Sequence, residues 1–371
     1  MIEVCPVRTR REKNLFLTFP WRIYQNDPLW IPPLLLERQK ATDPRRGFFF
    51  RGGYADFFIV WKDGQPAGTI CCAEETNGLR GECMLGFFEC IQDYTVAAAL
   101  FQQAEAWAHE HQLTALYGTY NLDREDGRGI LVEGYDRPPP ILCGHNPPYY
   151  HEYFERFGFD LRHDDGLAYA IDIIPDAPNL QRLARLAERV RRRRNFTVRC
   201  VNMKDIDGEI DRIWELQNRA LEHLRGFEPY PRQAILAMVM PLKDLADPDL
   251  VLFAEAEGHT VGWFPALPNF NEILIHLNGL RYPWDYLRVL RYGRQRPKGL
   301  SVKSVAVLPE YWDTGIAILL FEEMAKRALV KGYQWVDFSL TGTENPDTWG
   351  LAHHMGAKIY KRYRFYRKVI K

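Results

Sequence analysis

The feature of this 371-residue sequence that most constrains its fold is an order of elements that occurs twice. In the first half, residues 56–73 predict a β-hairpin with an Asp63-Gly64 turn, and residues 84–90 predict a strand that leads into a long helix. In the second half, residues 250–264 predict a hairpin and residues 302–308 a strand before an apolar helix. The repeat therefore predicts two related α/β domains.

The boundary between the halves is marked by a proline-rich break. Residues 175–178 read Pro-Asp-Ala-Pro, and the following stretch has an apolar face suited to a helix that ends in several arginines. We therefore predict a first domain over 1–174, a connecting helix over 175–195 and a second domain over 196–371. The arginines favour a solvated helix end over a nucleic-acid arm.

Composition limits the partners that the chain is expected to have. Lysine plus arginine and aspartate plus glutamate are balanced at 48 each, so the global charge favours neither nucleic acid nor a membrane. No apolar run reaches the roughly 18 residues of a membrane helix, and the first residues resemble no secretory signal. None of the seven cysteines forms a C-x-x-C pair. We expect a reduced, cytoplasmic protein without a metal site.

The start of the apolar helix in the second half is unusually small. It reads Trp312-Asp313-Thr314-Gly315-Ile316-Ala317, so little side-chain bulk covers the first backbone amides. Bare amides at the positive end of a helix dipole form an anion site, most often for phosphate. The alternative is a tight strand-to-helix connection without a ligand.

The order of elements, taken with this turn, resembles the GNAT acetyltransferase fold. The cofactor turn of that family has the form Arg/Gln-x-x-Gly-x-Gly/Ala, which Gly315 and Ala317 match and Trp312 does not. Asn345 stands eleven residues before Gly356, as the family's asparagine often does before its closing glycine. The first half is more degenerate: its equivalent turn, residues 92–97, keeps Gln92 and Ala97 but has Thr95 in place of the glycine.

This resemblance implies a tandem protein of two GNAT-like domains, each a mixed, mostly antiparallel sheet flanked by helices. It also implies an N-acyltransferase that moves an acyl group, with acetyl as the first choice, from coenzyme A to an amine of a small molecule. Two alternatives remain open: a transferase whose donor is acyl carrier protein or aminoacyl-tRNA, and a sensor that binds acyl-CoA without catalysis. The cofactor-binding residues expected from the resemblance are Val305, Val307, Asp313, Thr314, Gly315, Ile316, Ala317 and Asn345.

Catalytic residues are harder to name, because the family's tyrosine four residues before the closing glycine is absent. Ala352 and Phe154 stand at those positions. We predict Glu89 as a base acting through water, with a helix cap as the alternative, and Tyr150 and Tyr366 as candidate acids, with packing as the alternative.

Two long connections are expected to wall the acceptor site or to cover the domains. They are residues 121–150, which include His145, and residues 269–297. We further expect one coenzyme A per chain, in the second half, because Thr95 places a branched side chain where Gly315 leaves room.

Overall fold

The structure is a computed structural model that describes residues 1–75, 81–122, 126–161, 165–223, 227, 229–243, 245–303, 305–342 and 356–370. Asn345 and the short helix expected over 348–355 lie outside the described residues. Within them, no helix is long and apolar enough to cross a membrane.

Sixteen strands and eleven α-helices build the described part of the chain, together with short 3₁₀ turns. The strands are β1 (Ile2–Pro6), β2 (Gly53–Lys62), β3 (Gln65–Glu75), β4 (Glu82–Cys90), β5 (Ala115–Gly118), β6 (Ile130–Glu133), β7 (Asp160–Leu161), β8 (Gly166–Asp172), β9 (Phe196–Cys200), β10 (Val251–Ala256), β11 (His259–Pro268), β12 (Gly299–Val302), β13 (Ala306–Val307), β14 (Trp335–Gly342), β15 (Lys358–Arg364) and β16 (Tyr366–Val369). The helices are α1 (Arg10–Thr18), α2 (Pro20–Ile23), α3 (Leu35–Ala41), α4 (Tyr94–Glu110), α5 (Tyr149–Arg156), α6 (Pro178–Arg193), α7 (Ile206–Leu221), α8 (Arg232–Val239), α9 (Asn271–Leu274), α10 (Tyr286–Tyr292) and α11 (Ile316–Lys331).

The strands form two mixed sheets, and each sheet contains strands from the other half of the sequence: β16 in the first sheet, and β6 and β8 in the second. The first sheet has the order β1-β2-β3-β4-β5-β16-β7, and the second has the order β6-β15-β8-β14-β12-β11-β10-β9, with β13 paired to β11. The last strand of the chain, β16, therefore lies in the first sheet, between β5 and β7. In return β8, from the first half of the sequence, lies between β14 and β15 of the second sheet. Each half thus completes the sheet of the other.

This exchange corrects one expectation from the sequence. The sequence predicts one final strand over residues 358–369, but the chain leaves the second sheet after Arg364 and enters the first at Tyr366. Phe365 lies at the crossing and is buried. The predicted mixed α/β fold with two sheets is confirmed, whereas the predicted domain ranges stay a prediction.

Each sheet has a long apolar helix across it, and the helix start lies beside the sheet's central strands. In the first sheet, α4 buries its apolar face, and Phe101 stacks on Phe88 of β4. In the second, α11 buries Leu320 and Met324 against β10 and β11. The connecting helix α6 packs against α11 through a face that buries Ala187.

The long connection between β5 and α5 belongs to both sheets. Its strand β6 forms the edge of the second sheet by pairing with β15. Asn146 holds this strand through both groups of its amide, since its Oδ1 accepts from Leu131 N and its Nδ2 donates to Leu131 O. Part of the connection is therefore a structural cover, and the remainder lies between the two clusters of polar side chains described below.

Candidate functional site

The start of α11 has the geometry of an anion site. Residues 309–314 form a 3₁₀ turn, and Gly315 then takes a left-handed conformation with φ of 86° before the helix begins at Ile316. No side chain caps this helix end, and the nearby Asp313 is exposed. The first amides of α11 are therefore free of a side-chain acceptor, which leaves them to a ligand or to water.

The structure explains why residue 315 is a glycine without reference to any ligand. Its positive φ strains every residue with a Cβ, and a Cβ built there would lie 2.5 Å from Cγ2 of Val190 on α6. Glycine is thus required by the packing of α6 against the turn. Substitutions at residue 315 perturb the fold, so neighbouring positions are better tests of the anion site.

The equivalent helix start in the first half, at α4, is capped by a carboxylate side chain of the protein itself. Oδ1 of Asp93 accepts from Thr95 N at 2.9 Å and from Thr95 Oγ1 at 2.6 Å, so Asp93 caps α4. Hydrogen bonds from Lys62 and Thr95 lower the pKa of Asp93 to about 2. This carboxylate, which is also paired with Lys62, occupies one of the backbone amides that a phosphate would need.

The two sheets also differ where their central parallel strands separate. In the second sheet, β12 and β14 pair in parallel up to Val302 and Phe338, after which the chain leaves β14 and continues its pairing with β11 as β13. Val305 lies at the separation and is 39% exposed. Val307 is paired with Gly262 of β11, and the predicted contact of Val305 and Val307 with a pantetheine arm stays a prediction.

In the first sheet this separation is filled by the chain itself. Pairing of β4 with β5 ends at Leu85 and Gly118, and Tyr120 N then donates to Leu85 O at 2.8 Å. The side-chain oxygen of Asn121 accepts from Phe87 N, also at 2.8 Å. An amide side chain of the protein therefore takes the backbone contact that a pantetheine amide would make.

A buried polar cluster, which sequence reasoning missed, lies at the separation in the second sheet. Asp337 accepts hydrogen bonds from Ser301 Oγ at 2.8 Å, Ser339 Oγ at 2.7 Å and Tyr360 Oη at 2.8 Å. Lys303 Nζ donates to Ser339 Oγ at 2.7 Å and lies 3.9 Å from Asp337. The signal was the alternation of polar residues, at 301 and 303 and at 337 and 339, in two otherwise apolar strands.

The first half has a second buried cluster, around the predicted base Glu89. Oε2 of Glu89 accepts from Tyr150 Oη at 2.7 Å and lies 2.9 Å from Tyr24 Oη, which is also 2.9 Å from His145 O. Burial raises the pKa of Glu89 to about 8, against the two tyrosine hydrogen bonds that lower it. Tyr24 has one hydroxyl proton for two acceptors, Glu89 Oε2 and His145 O, so a protonated Glu89 that donated to Tyr24 would satisfy both contacts.

The structure separates the three predicted catalytic residues. Glu89 and Tyr150 are in direct contact, and Tyr150 also accepts from Cys90 N at 2.8 Å. Tyr366 lies elsewhere: its hydroxyl donates to Glu155 at 3.0 Å and its ring stacks on Phe154. Glu89 and Tyr150 therefore form one candidate unit, and the catalytic role of Tyr366, which lies apart from them, stays a prediction.

The connection between β5 and α5 contacts residues of both sheets. On the first-sheet side, His145 Nε2 lies 2.7 Å from Asp27 Oδ2, and burial lowers the pKa of His145. On the second-sheet side, Lys361 Nζ donates to the backbone oxygens of Gly134 and Arg137, and burial lowers the pKa of Lys361 to about 8. Across the ranges that the structure describes, no group of three His, Cys, Asp or Glu side chains could hold a metal ion.

A polar cleft of about 900 Å³ lies beside the 309–314 turn, lined by β9, α7, the β10–β11 hairpin and Glu310. Its arginines are paired with carboxylates: Arg199 with Glu209, Arg212 with Asp205 and Arg219 with Glu310. This salt-bridge network frames the turn, and we assign no ligand to it.

Comparison with known proteins places the chain in a family. No protein-family model matches it. It is 30% identical over 387 residues to Protein YghO of Escherichia coli (strain K12), a match that covers 98% of this chain and 95% of that protein. The chain belongs to the YghO family. This YghO-family chain is also 28% identical over 384 residues to a protein named bacterial ceramide synthase from Caulobacter vibrioides (strain NA1000 / CB15N), covering 100% and 98% of the two chains.

Solved structures confirm the predicted tandem GNAT fold. A tandem GNAT protein from the clavulanic acid biosynthesis pathway superposes with a TM-score of 0.59 at 12% identity, covering 100% of the YghO-family chain and 98% of its own. A probable N-acyltransferase from Enterococcus faecalis V583 gives a TM-score of 0.54 at 10% identity over 100% and 73% of the two chains. At the level of family and fold, the prediction of an N-acyltransferase-type enzyme is confirmed.

Proposed function

We propose that the chain transfers an acyl group from coenzyme A to the amine of a long-chain amino alcohol, and that the second half holds the coenzyme A. The observation that carries the proposal is the contrast between the two helix starts. Asp93 neutralises the start of α4 from within the chain, whereas Gly315 leaves the start of α11 without a side-chain cap. A pyrophosphate would bind the uncapped amides, with Thr314, Ile316 and Ala317 beside it.

The separated strands support the same assignment. A pantetheine arm contains two amides and pairs with an accessible strand edge as an added peptide does. The second sheet offers such an edge near Val305, while in the first sheet Asn121 already occupies Phe87 N. One coenzyme A per chain, in the second half, is the stoichiometry that both contrasts favour.

The acceptor and the acyl group are proposed from the relative named bacterial ceramide synthase. A ceramide is an amide between a fatty acid and a long-chain amino alcohol, and this relative matches the whole chain at 28% identity. We therefore place a fatty acyl group ahead of the acetyl group expected from the sequence. The two polar clusters and the connection between them provide the surroundings in which an amine and a thioester could meet.

The proposed reaction forms one C–N bond, breaks one C–S bond and transfers a proton from the amine and a proton to the thiolate. The amine nitrogen attacks the thioester carbonyl carbon, a C–N bond forms, the C–S bond breaks and the thiolate leaves. The attacking amine loses a proton to a base, and the thiolate gains one. Lys303 lies where the strands separate, and its positive charge would stabilise the negative charge that develops on the carbonyl oxygen or the sulfur. Glu89, once ionised, remains the candidate base.

The proposal is tested by thermal shift followed by release of free thiol. We expect acyl-CoA to raise the melting temperature, with fatty acyl-CoA acting at lower concentration than acetyl-CoA. Thiol release should then require a long-chain amino alcohol such as sphinganine, and octylamine and lysine serve as controls for chain length and headgroup.

Each contrary outcome points to one alternative. If no acyl-CoA stabilises the protein, the donor is of another kind, namely acyl carrier protein or aminoacyl-tRNA. Stabilisation without thiol release, over the whole amine panel, would support a sensor.

A further inference from the structure

The insertion in the second half carries an exposed apolar surface. Within residues 281–298, called here the 281–298 segment, the exposed fractions are 62% for Trp284, 67% for Leu287, 70% for Leu290 and 47% for Tyr286. Helix α10, which contains three of these side chains, buries none of its residues. Leu287 and Leu290 are three residues apart and lie on one side of the helix. These large apolar side chains lie close together in the sequence, and no element among the described residues covers them.

The charge of the 281–298 segment differs sharply from that of the whole chain. It contains five arginines and one lysine against one aspartate, a difference of 6 − 1 = +5, whereas the chain as a whole balances 48 against 48. The cations are Arg281, Arg288, Arg291, Arg294, Arg296 and Lys298. The single carboxylate is withdrawn from the surface, because Asp285 is 0% exposed.

Asp285 explains why the apolar side chains face outward. Its Oδ2 accepts from Tyr282 N at 2.9 Å and from Asn278 Nδ2 at 3.0 Å, which ties the turn before α10 to the turn that precedes it. While the Asp285 carboxylate is buried and hydrogen-bonded, Trp284 stacks on Tyr282 at the surface, with 4.8 Å between the ring centroids. The carboxylate organises the segment and leaves its surface positive.

The segment is fixed to the first half of the molecule. Trp21 Nε1 donates to Asn278 Oδ1 at 2.8 Å, and the guanidinium carbon of Arg281 lies 5.3 Å from the Trp21 ring centroid. Trp21 contacts Trp30, which stacks on Tyr24, a member of the Glu89 cluster. The exposed surface is therefore connected through packed aromatic rings to one of the two polar clusters.

We propose that the 281–298 segment docks the protein on an anionic phospholipid surface. Leucine and tryptophan side chains enter the boundary between headgroups and acyl chains, while the arginines and the lysine contact lipid phosphates. Two carboxylates touch the segment: Asp285 is buried beside Arg288, and Glu272 accepts from the backbone nitrogens of Lys298 and Gly299. Charge complementarity still selects this occupant, since the excess of cations opposes the association of two copies and favours an anionic surface. The whole-chain charge balance had suggested no membrane partner, and the local asymmetry reverses that expectation. This inference does not depend on the proposed chemistry.

Vesicle flotation tests the proposal with the full chain. We expect binding to vesicles of 30% phosphatidylglycerol in phosphatidylcholine and little binding to pure phosphatidylcholine. Leu287→Gln with Leu290→Gln should weaken binding at least tenfold. Arg291→Gln with Arg294→Gln should weaken it about fivefold for each cation removed, and high salt should do the same.

Matched controls come from other exposed positions of the same chain. Val330→Gln removes an apolar side chain that is 89% exposed on α11, and Arg189→Gln with Arg193→Gln removes two exposed cations on α6. Both controls should bind vesicles as the unmodified protein does. Absence of binding to anionic vesicles, or equal losses in controls and variants, would overturn the proposal. A concentration-dependent dimer that only the Leu287 and Leu290 variant abolishes would assign the surface to a second copy instead.

Discussion

Replacing Glu89 by glutamine should change how the stability of the protein depends on pH. The substitution keeps the shape of the side chain and its acceptor oxygen for the Tyr150 hydroxyl, but it removes the titrating proton. The folded protein holds the carboxyl away from water, so burial raises the pKa of Glu89 to about 8 from the 4.5 of an exposed glutamate.

The sign follows from the direction of this pKa shift. Because the folded pKa lies above the unfolded one, the folded state binds the proton more tightly, and unfolding releases it at pH values between the two. The stabilisation is fully present below about pH 4.5 and is lost as the pH rises through about 8. The full shift corresponds to about 5 kcal/mol, of which about 3 kcal/mol falls between pH 5 and pH 8.

The assay is urea unfolding at pH 5 and pH 8, followed by circular dichroism. The unmodified protein should lose about 3 kcal/mol more than Glu89→Gln over this interval, because all other titrations are common to both. Glu152→Gln, an exposed carboxyl on the helix that carries Tyr150, should behave as the unmodified protein does. An identical pH dependence for the unmodified protein and Glu89→Gln would refute the buried, protonated carboxyl and remove the reason for treating it as a tunable base.

Two further predictions concern the second half. Ala317→Glu places a carboxylate in the first turn of α11, which favours the helix but repels pyrophosphate. Calorimetry should therefore show at least a tenfold loss of coenzyme A affinity for Ala317→Glu, whereas Ala317→Gln should retain the affinity. A stoichiometry near two per chain would reverse the assignment of the site to this half. Lys303→Met should lower kcat about a hundredfold with little change in the KM for acyl-CoA, and Lys303→Arg should recover part of the loss; a pure KM effect would show that Lys303 binds rather than stabilises developing charge.

The fold was predictable from the sequence to the extent that it depends on the local order of elements. The two hairpins, the helix starts and the cofactor-type turn around Gly315 predicted a tandem GNAT architecture, which the solved structures confirm. The strand exchange was not predictable in this way. Residues 358–369 contain no proline or glycine that would mark a break, and their local pattern does not indicate which sheet each part joins.

The candidate site was predictable only in part, for the same reason. Gly315 pointed to the helix start, but the contact of that turn with Val190 joins residues far apart in the chain. The cap formed by Asp93 was visible as an aspartate two residues before Thr95, and comparison of Thr95 with Gly315 overlooked it. The hydrogen bond from Phe87 N to the Asn121 side chain and the cluster around Asp337 depend on which strands become neighbours. Residue spacing in the sequence alone therefore does not reveal them.

Under the proposed function, side chains of the first half take the places that groups of the cofactor would occupy in the second half. Asp93 supplies the anion at the helix start, and Asn121 supplies the amide oxygen at the separated strands. Each replacement satisfies a backbone amide that would otherwise lack a partner, at a gain of about 1 kcal/mol for a helix cap and a similar amount for the hydrogen bond. Strand exchange then makes this half necessary, since β8 completes the sheet that carries α11. In the proposed arrangement, a half that binds no cofactor is therefore still required for the half that binds it.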